Sequence, residues 1–97
     1  MRALILTPRA RRQYERALSW WYQNRDKAPR LFGNEFDEIT KLIVDAPGVG
    51  QYVRTRRGGV RRVLMEHSRY YVYYSVTTKG DIAVLSIWHA SRRPPRL

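Results

Sequence analysis

The chain has 97 residues, 43% of them apolar and 28% charged, which is the composition of one folded domain, residues 1–97, with a thin core. It has no cysteine, which excludes a disulfide framework, a thiol nucleophile and any thiolate metal site; its two histidines, His67 and His89, cannot build a metal cage alone, so neither metal nor cofactor is expected. Nineteen basic residues, sixteen of them arginine, against eight acidic ones leave a net charge of +11. The excess is lopsided: residues 1–50 carry +3 and residues 51–97 carry +8. A field of one sign this large implies a polyanionic partner, either nucleic acid or an acidic protein segment, and arginine adds bidentate recognition of carboxylate and phosphate. The plainer alternative is a solvated basic face.

In chain order, Ala3–Leu6 reads as a short buried strand. Four apolar residues are too few for a signal peptide or a membrane span, so a cytoplasmic protein with no membrane partner is expected. Thr7-Pro8 is a helix N-cap followed by proline at the first helical position. Ala10, Tyr14, Ala17, Leu18 and Trp21 recur at helical spacing, and this helix should run to about Arg25. A second helix starts near Pro29, carries Phe32, Phe36, Ile39, Leu42 and Ile43 on one stripe, and must stop before Pro47. The short link from Asp26 to Ala28 makes the two helices antiparallel neighbours, and Gly33 marks their close approach. Glu35, Asp37 and Glu38 are expected on the solvated surface of that helix.

Residues 47–59 read as a loop bracketed by Pro47-Gly48 and Gly58-Gly59 and charged by Arg54, Arg56 and Arg57. Arg56-Arg57-Gly58-Gly59 has the look of an RNA-binding arginine–glycine tract, but a single copy before a strand is better read as a turn. Three strands follow, Val60–Glu66, Tyr70–Val76 and Ile82–His89, joined by turns short enough for antiparallel hairpins. The order β-α-α-β-β-β predicts an α+β domain with a helical hairpin packed on one face of a mostly antiparallel four-stranded sheet. Alternation in the last strand puts Ala83, Leu85, Ile87 and His89 on the helix-covered face. Val84, Ser86 and Trp88 then face a partner, together with either Arg61 or Arg62.

General catalytic motifs are missing. Gly58-Gly59 leads into a strand, not a helix, so it is no phosphate-cradling loop, and no nucleophile elbow is present. A larger pattern does emerge. Leu6-Thr7-Pro8-Arg9-Ala10, Ala46-Pro47-Gly48-Val49-Gly50, Gly59-Val60-Arg61-Arg62-Val63-Leu64, Tyr71-Val72-Tyr73-Tyr74-Ser75-Val76 and Ile87-Trp88-His89-Ala90-Ser91-Arg92-Arg93-Pro94 occur in this order and spacing. Together they resemble the RelE/ParE superfamily of bacterial type II toxin–antitoxin toxins, from Leu6 to Pro94.

That resemblance implies one of two activities. A RelE-like member would be a ribosome-dependent mRNA endonuclease, and therefore an enzyme. Its metal-free cleavage needs a base, a cation and an acid, here sought among Arg61, Arg62, Tyr71, Tyr73, His89, Arg92 and Arg93. Imidazole suits proton exchange near neutrality, although His89 can equally tether the tail by hydrogen bonds. A ParE-like member would poison DNA gyrase without catalysis. The two comparable helices, the Pro-x-x-Gly turn and the His-x-x-Arg-Arg ending are similar to ParE. The chain also closes on Pro94-Pro95-Arg96-Leu97, without the terminal tyrosine of several ribosome-dependent members. Gyrase inhibition is therefore the favoured expectation, with Trp88, Arg92, Arg93 and Arg96 touching the target. The resemblance further implies a cognate antitoxin, acidic by charge complementarity, that wraps Trp20, Arg54, Arg56, Arg57, Arg61, Arg62 and Trp88 and brings operator DNA only through the complex.

Overall fold

The computed structural model describes residues 2–97. Strand β1 (Leu4–Leu6) leads through Thr7 into helix α1 (Pro8–Asn24), where the Thr7 hydroxyl accepts from the Ala10 amide at 3.1 Å as an N-cap. Helix α2 (Leu31–Asp45) returns antiparallel to it, and a Cβ added at Gly33 would sit 3.1 Å from Leu18 Cδ1, so the glycine does mark the close approach. A short 3₁₀ turn (Pro47–Val49) then feeds β2 (Gln51–Val53), followed by β3 (Val60–Met65), β4 (Tyr70–Val76) and β5 (Ile82–His89).

The sheet has five strands in the order β1-β5-β4-β3-β2, parallel only between β1 and β5. The expected α+β architecture is present, but with one more strand than predicted. Residues 51–53 lie inside the predicted loop and become a strand because they pair with Val60–Arg62 at the sheet edge. What steers them there is Tyr74, fully buried, whose hydroxyl donates to the Pro47 carbonyl and accepts from the Gly50 amide at 2.9 Å. Burial raises the Tyr74 pKa above the ordinary phenol value, against the opposing pull of the Gly50 amide and Arg61. Gly50 is obligatory: a Cβ there would lie 2.6 Å from the Tyr74 oxygen. The Pro-x-x-Gly turn is thus a socket for one tyrosine.

The main core lies between helices and sheet. Ala10, Ala17, Trp21, Phe32, Phe36 and Ile43 from the helices pack on Met65, Val72, Tyr74, Ile82, Val84 and Ile87. A smaller cluster occupies the other face, where Val60, Tyr73 and Leu85 are covered by Val53, Tyr71, Ala83, Trp88 and Leu97. The expected face assignment of β5 fails over its first half. Register shifts between Tyr73 and Tyr74, so that Leu85 and Ser86 share one opposing position in a β-bulge. One extra residue exchanges the faces before and after it. Val84 therefore points to the helices, and Ala83 and Leu85 point away, while Ile87 and His89 keep the helix side.

Candidate functional site

β1 is only three residues long, so it leaves the edge of β5 beyond Val84 without a strand neighbour. Helix α1 runs along that edge instead. Gln13 Oε1 accepts from the Ile87 amide at 2.8 Å and from the Ser86 hydroxyl at 3.1 Å, replacing the missing ladder bonds. Ser86, expected to face a partner, is buried by this contact.

Past Gln13 the helix and the sheet diverge into a groove of two compartments. The larger, about 490 Å³, is bordered by Arg16, Trp20, Trp88, Ser91 and Arg92. The smaller, about 300 Å³, lies between Trp21 and Arg25 on one side and His67, Ser68 and Arg69 on the other. Trp20, Tyr70 and His89 form the wall common to both. The Arg25 guanidinium lies over Trp20 and Trp21, with Cζ 5.3 and 5.4 Å from the ring centroids, so its charge is held at the groove by stacking. His89 packs edge-on against Tyr70, with ring centroids 5.1 Å apart. Its Nδ1 accepts from the Ser91 amide at 3.1 Å and lies 2.7 Å from the Ser91 hydroxyl. Burial raises the Tyr70 phenol pKa, with nearby Arg92 pulling the other way.

The turn that carries His67 and Arg69 is held from below by a residue that periodicity misplaces. Glu35, expected on the solvated helix surface with Asp37 and Glu38, is only 8% exposed. Its carboxylate accepts from the His67 amide (2.8 Å), the Ser68 amide (2.9 Å) and the Ser68 hydroxyl (2.8 Å). Burial alone would raise its pKa, but the hydrogen bonds outweigh that, and the pKa lies below the ordinary carboxylate value. The sequence signal is faint: an acid on the flank of an apolar stripe, opposite a His-Ser turn some thirty residues away.

The opposite sheet face holds a second arginine–aromatic array. Arg62 stacks on Tyr71 at 4.1 Å, donates from Nη1 to the Tyr73 hydroxyl (3.2 Å) and from Nε to Gln51 (3.0 Å). Arg92 lies 4.1 Å over the Trp88 ring. Trp88 is half-buried under the tail, its indole N–H donating to the Arg93 carbonyl, while the Arg96 carbonyl accepts from Arg9 at 2.9 Å. Arg61 is on the other side of the sheet, donating to the Gly50 carbonyl at 2.8 Å. Arg54, Arg56 and Arg57 belong to the β2–β3 loop, at the end of the sheet away from His89. The candidate nuclease residues are therefore split between two faces. Arg62, Tyr71 and Tyr73 gather on one, and Arg61 and His89 lie on the other, with Arg61 tied to a turn. Arg92 sits at the sheet edge, stacked on Trp88 and bordering the His89 groove.

Comparison with known proteins agrees with this architecture. The chain matches the family model of the ParE toxin of the parDE type II toxin–antitoxin system over residues 4–94. A similar solved structure is that of the chromosomal ParDE toxin–antitoxin system from P. aeruginosa, with a TM-score of 0.61 and 17% identity over 94% of this chain and 98% of that one. The isolated E. coli RelE toxin is similar at a TM-score of 0.55 and 19% identity, over 96% of this chain and 88% of that one. No curated protein matches the chain.

Proposed function

Because the chain belongs to the ParE toxin family of type II toxin–antitoxin systems, we propose that it arrests growth by inhibiting DNA gyrase and is neutralised by a cognate acidic antitoxin. The observation that carries this reading is the separation of His89, which shares its groove with Arg92, from Arg62, Tyr71 and Tyr73 on the other face of the sheet. Phosphodiester cleavage needs base, cation and acid around one phosphate. Here the imidazole of His89 accepts from Ser91 on the helix side, while Arg62, Tyr71 and Tyr73 interact among themselves across the sheet. A binding toxin has no such requirement. It needs a preorganised cationic surface, which Trp88, Arg92, Arg93 and Arg96 supply around the tail. The antitoxin reading rests on charge: the described contacts of Arg9, Arg25, Arg61, Arg62 and Arg92 are with carbonyls, Gln51, Tyr73 and aromatic rings, and none is with a carboxylate.

The test sets gyrase supercoiling beside cleavage of ribosome-bound mRNA, using wild type, His89→Gln and a double charge reversal at Arg92 and Arg93. Folded His89→Gln should still inhibit supercoiling, and the charge reversal should not. A general acid or base contributes about 10²–10⁴-fold to rate. If wild type cuts mRNA and folded His89→Gln loses that activity by such a factor, the protein is a RelE-like nuclease instead.

A further inference from the structure

The smaller compartment of the groove gathers several basic side chains. Arg25, His67, Arg69 and His89 all line it, and no acidic side chain does. Its walls are flat and aromatic, from Trp20, Tyr70 and the His89 ring.

Arg69 supplies an independent observation. Its backbone has φ 67°, the left-handed region that arginine adopts only at a cost and glycine adopts freely. The surroundings impose this conformation. Arg69 N donates to the Met65 carbonyl at 2.8 Å, the Arg69 carbonyl accepts from Ala90 at 2.7 Å, and Glu35 grips the two preceding amides. Strain of this kind persists where the fold over-determines it, and it gathers at ligand clamps. A glycine would satisfy the turn at lower backbone cost, yet an arginine stands there and lines the compartment.

We propose that this compartment binds a nucleoside phosphate, with the phosphate between Arg25 and Arg69 and the base against Trp20 and Tyr70. Two guanidiniums and two imidazoles exceed what one carboxylate needs, since a single arginine satisfies it in a bidentate pair. A phosphate brings three acceptor oxygens and nearly two charges. The Trp20 and Tyr70 rings suit a planar base, which stacks on aromatic faces regardless of its sequence identity. At about 300 Å³ the compartment is at the small end of ligand sites, and the larger one beside it leaves room for a further phosphate or sugar. The inference is independent of whether the toxin acts on gyrase.

Calorimetric titration of the full chain with AMP, adenosine, inorganic phosphate and a hexaglutamate peptide tests it. AMP should bind one to one and at least tenfold more tightly than the other three. Arg69→Gly removes the guanidinium and suits the left-handed backbone, so it should fold at least as well as wild type and lose at least tenfold in AMP affinity. Arg25→Gln should do the same, whereas Lys79→Gln, an equal charge change in the β4–β5 turn, should stay within twofold. Absence of saturable AMP binding, phosphate or hexaglutamate binding as tightly as AMP, or Arg69→Gly and Arg25→Gln both retaining wild-type affinity would each overturn the proposal.

Discussion

The two faces of the sheet are built on different physics. On the helix side, twelve buried residues from both helices and three of the strands exclude water from a continuous core. On the other side three buried residues, Val60, Tyr73 and Leu85, are roofed by half-exposed groups and by the tail residue Leu97. The helix face holds the fold by area removed from water. The opposite face holds its arginines in place by stacking and by hydrogen bonds that stay partly wet. Such surfaces cost little to open, which suits recognition better than stability.

Truncation in the helix-side core gives the largest expected effect. Phe32 is fully buried between Tyr14, Phe36 and Tyr70. Phe32→Ala should cost about 3–5 kcal/mol by lost burial and the cavity left behind, a large part of the stability of a domain this size. Thermal unfolding would register a fall on the order of 20 °C. A fall of only a few degrees would mean that the core is looser than the packing indicates.

Glu35→Gln comes next. It leaves an amide where two backbone N–H groups and a hydroxyl need an acceptor, at a cost of about 1–3 kcal/mol at neutral pH. The sign with pH follows from the lowered pKa. The carboxylate's contribution is full above the unfolded pKa and is lost as pH falls through the folded one. Urea unfolding at pH 7 and near pH 3 should therefore show a gap between wild type and Glu35→Gln that narrows in acid. A gap that stays constant would place the loss in packing instead of charge.

The smallest effect belongs to the tail. Residues 92–97 bring Leu97 onto the second cluster, Arg92 over Trp88, and the carbonyl partners of the Trp88 indole and Arg9. Deleting them should lower stability by about 1–2 kcal/mol without unfolding the chain, and should abolish toxicity. Circular dichroism melts beside growth assays separate the two. Retention of full toxicity by the folded truncation would remove the tail from the target surface.

Local chemistry was readable from neighbouring residues alone. The Thr7-Pro8 cap, most of the 3.6-residue stripe of each helix (Leu18 and Leu42 are exposed instead) and the three long strands each depend on residues within a few positions, and these appear in the fold. So do the basic imbalance and the phrases shared with the toxin superfamily, which lie in nearly fixed order along the chain. Other features depend on which distant segment arrives opposite. Residues 51–53 carry no strand pattern and pair because Tyr74 pins the turn before them. The bulge at Leu85 exchanges the faces of β5 because β4 and β5 differ by one residue in register, which neither strand states on its own. Glu35 reads as a solvated acid until the β3–β4 turn lands on it, and Trp88 reads as open until the tail folds across it. Periodicity and capping are written in short-range sequence, whereas register and the satisfaction of buried polar groups are settled only when the elements meet.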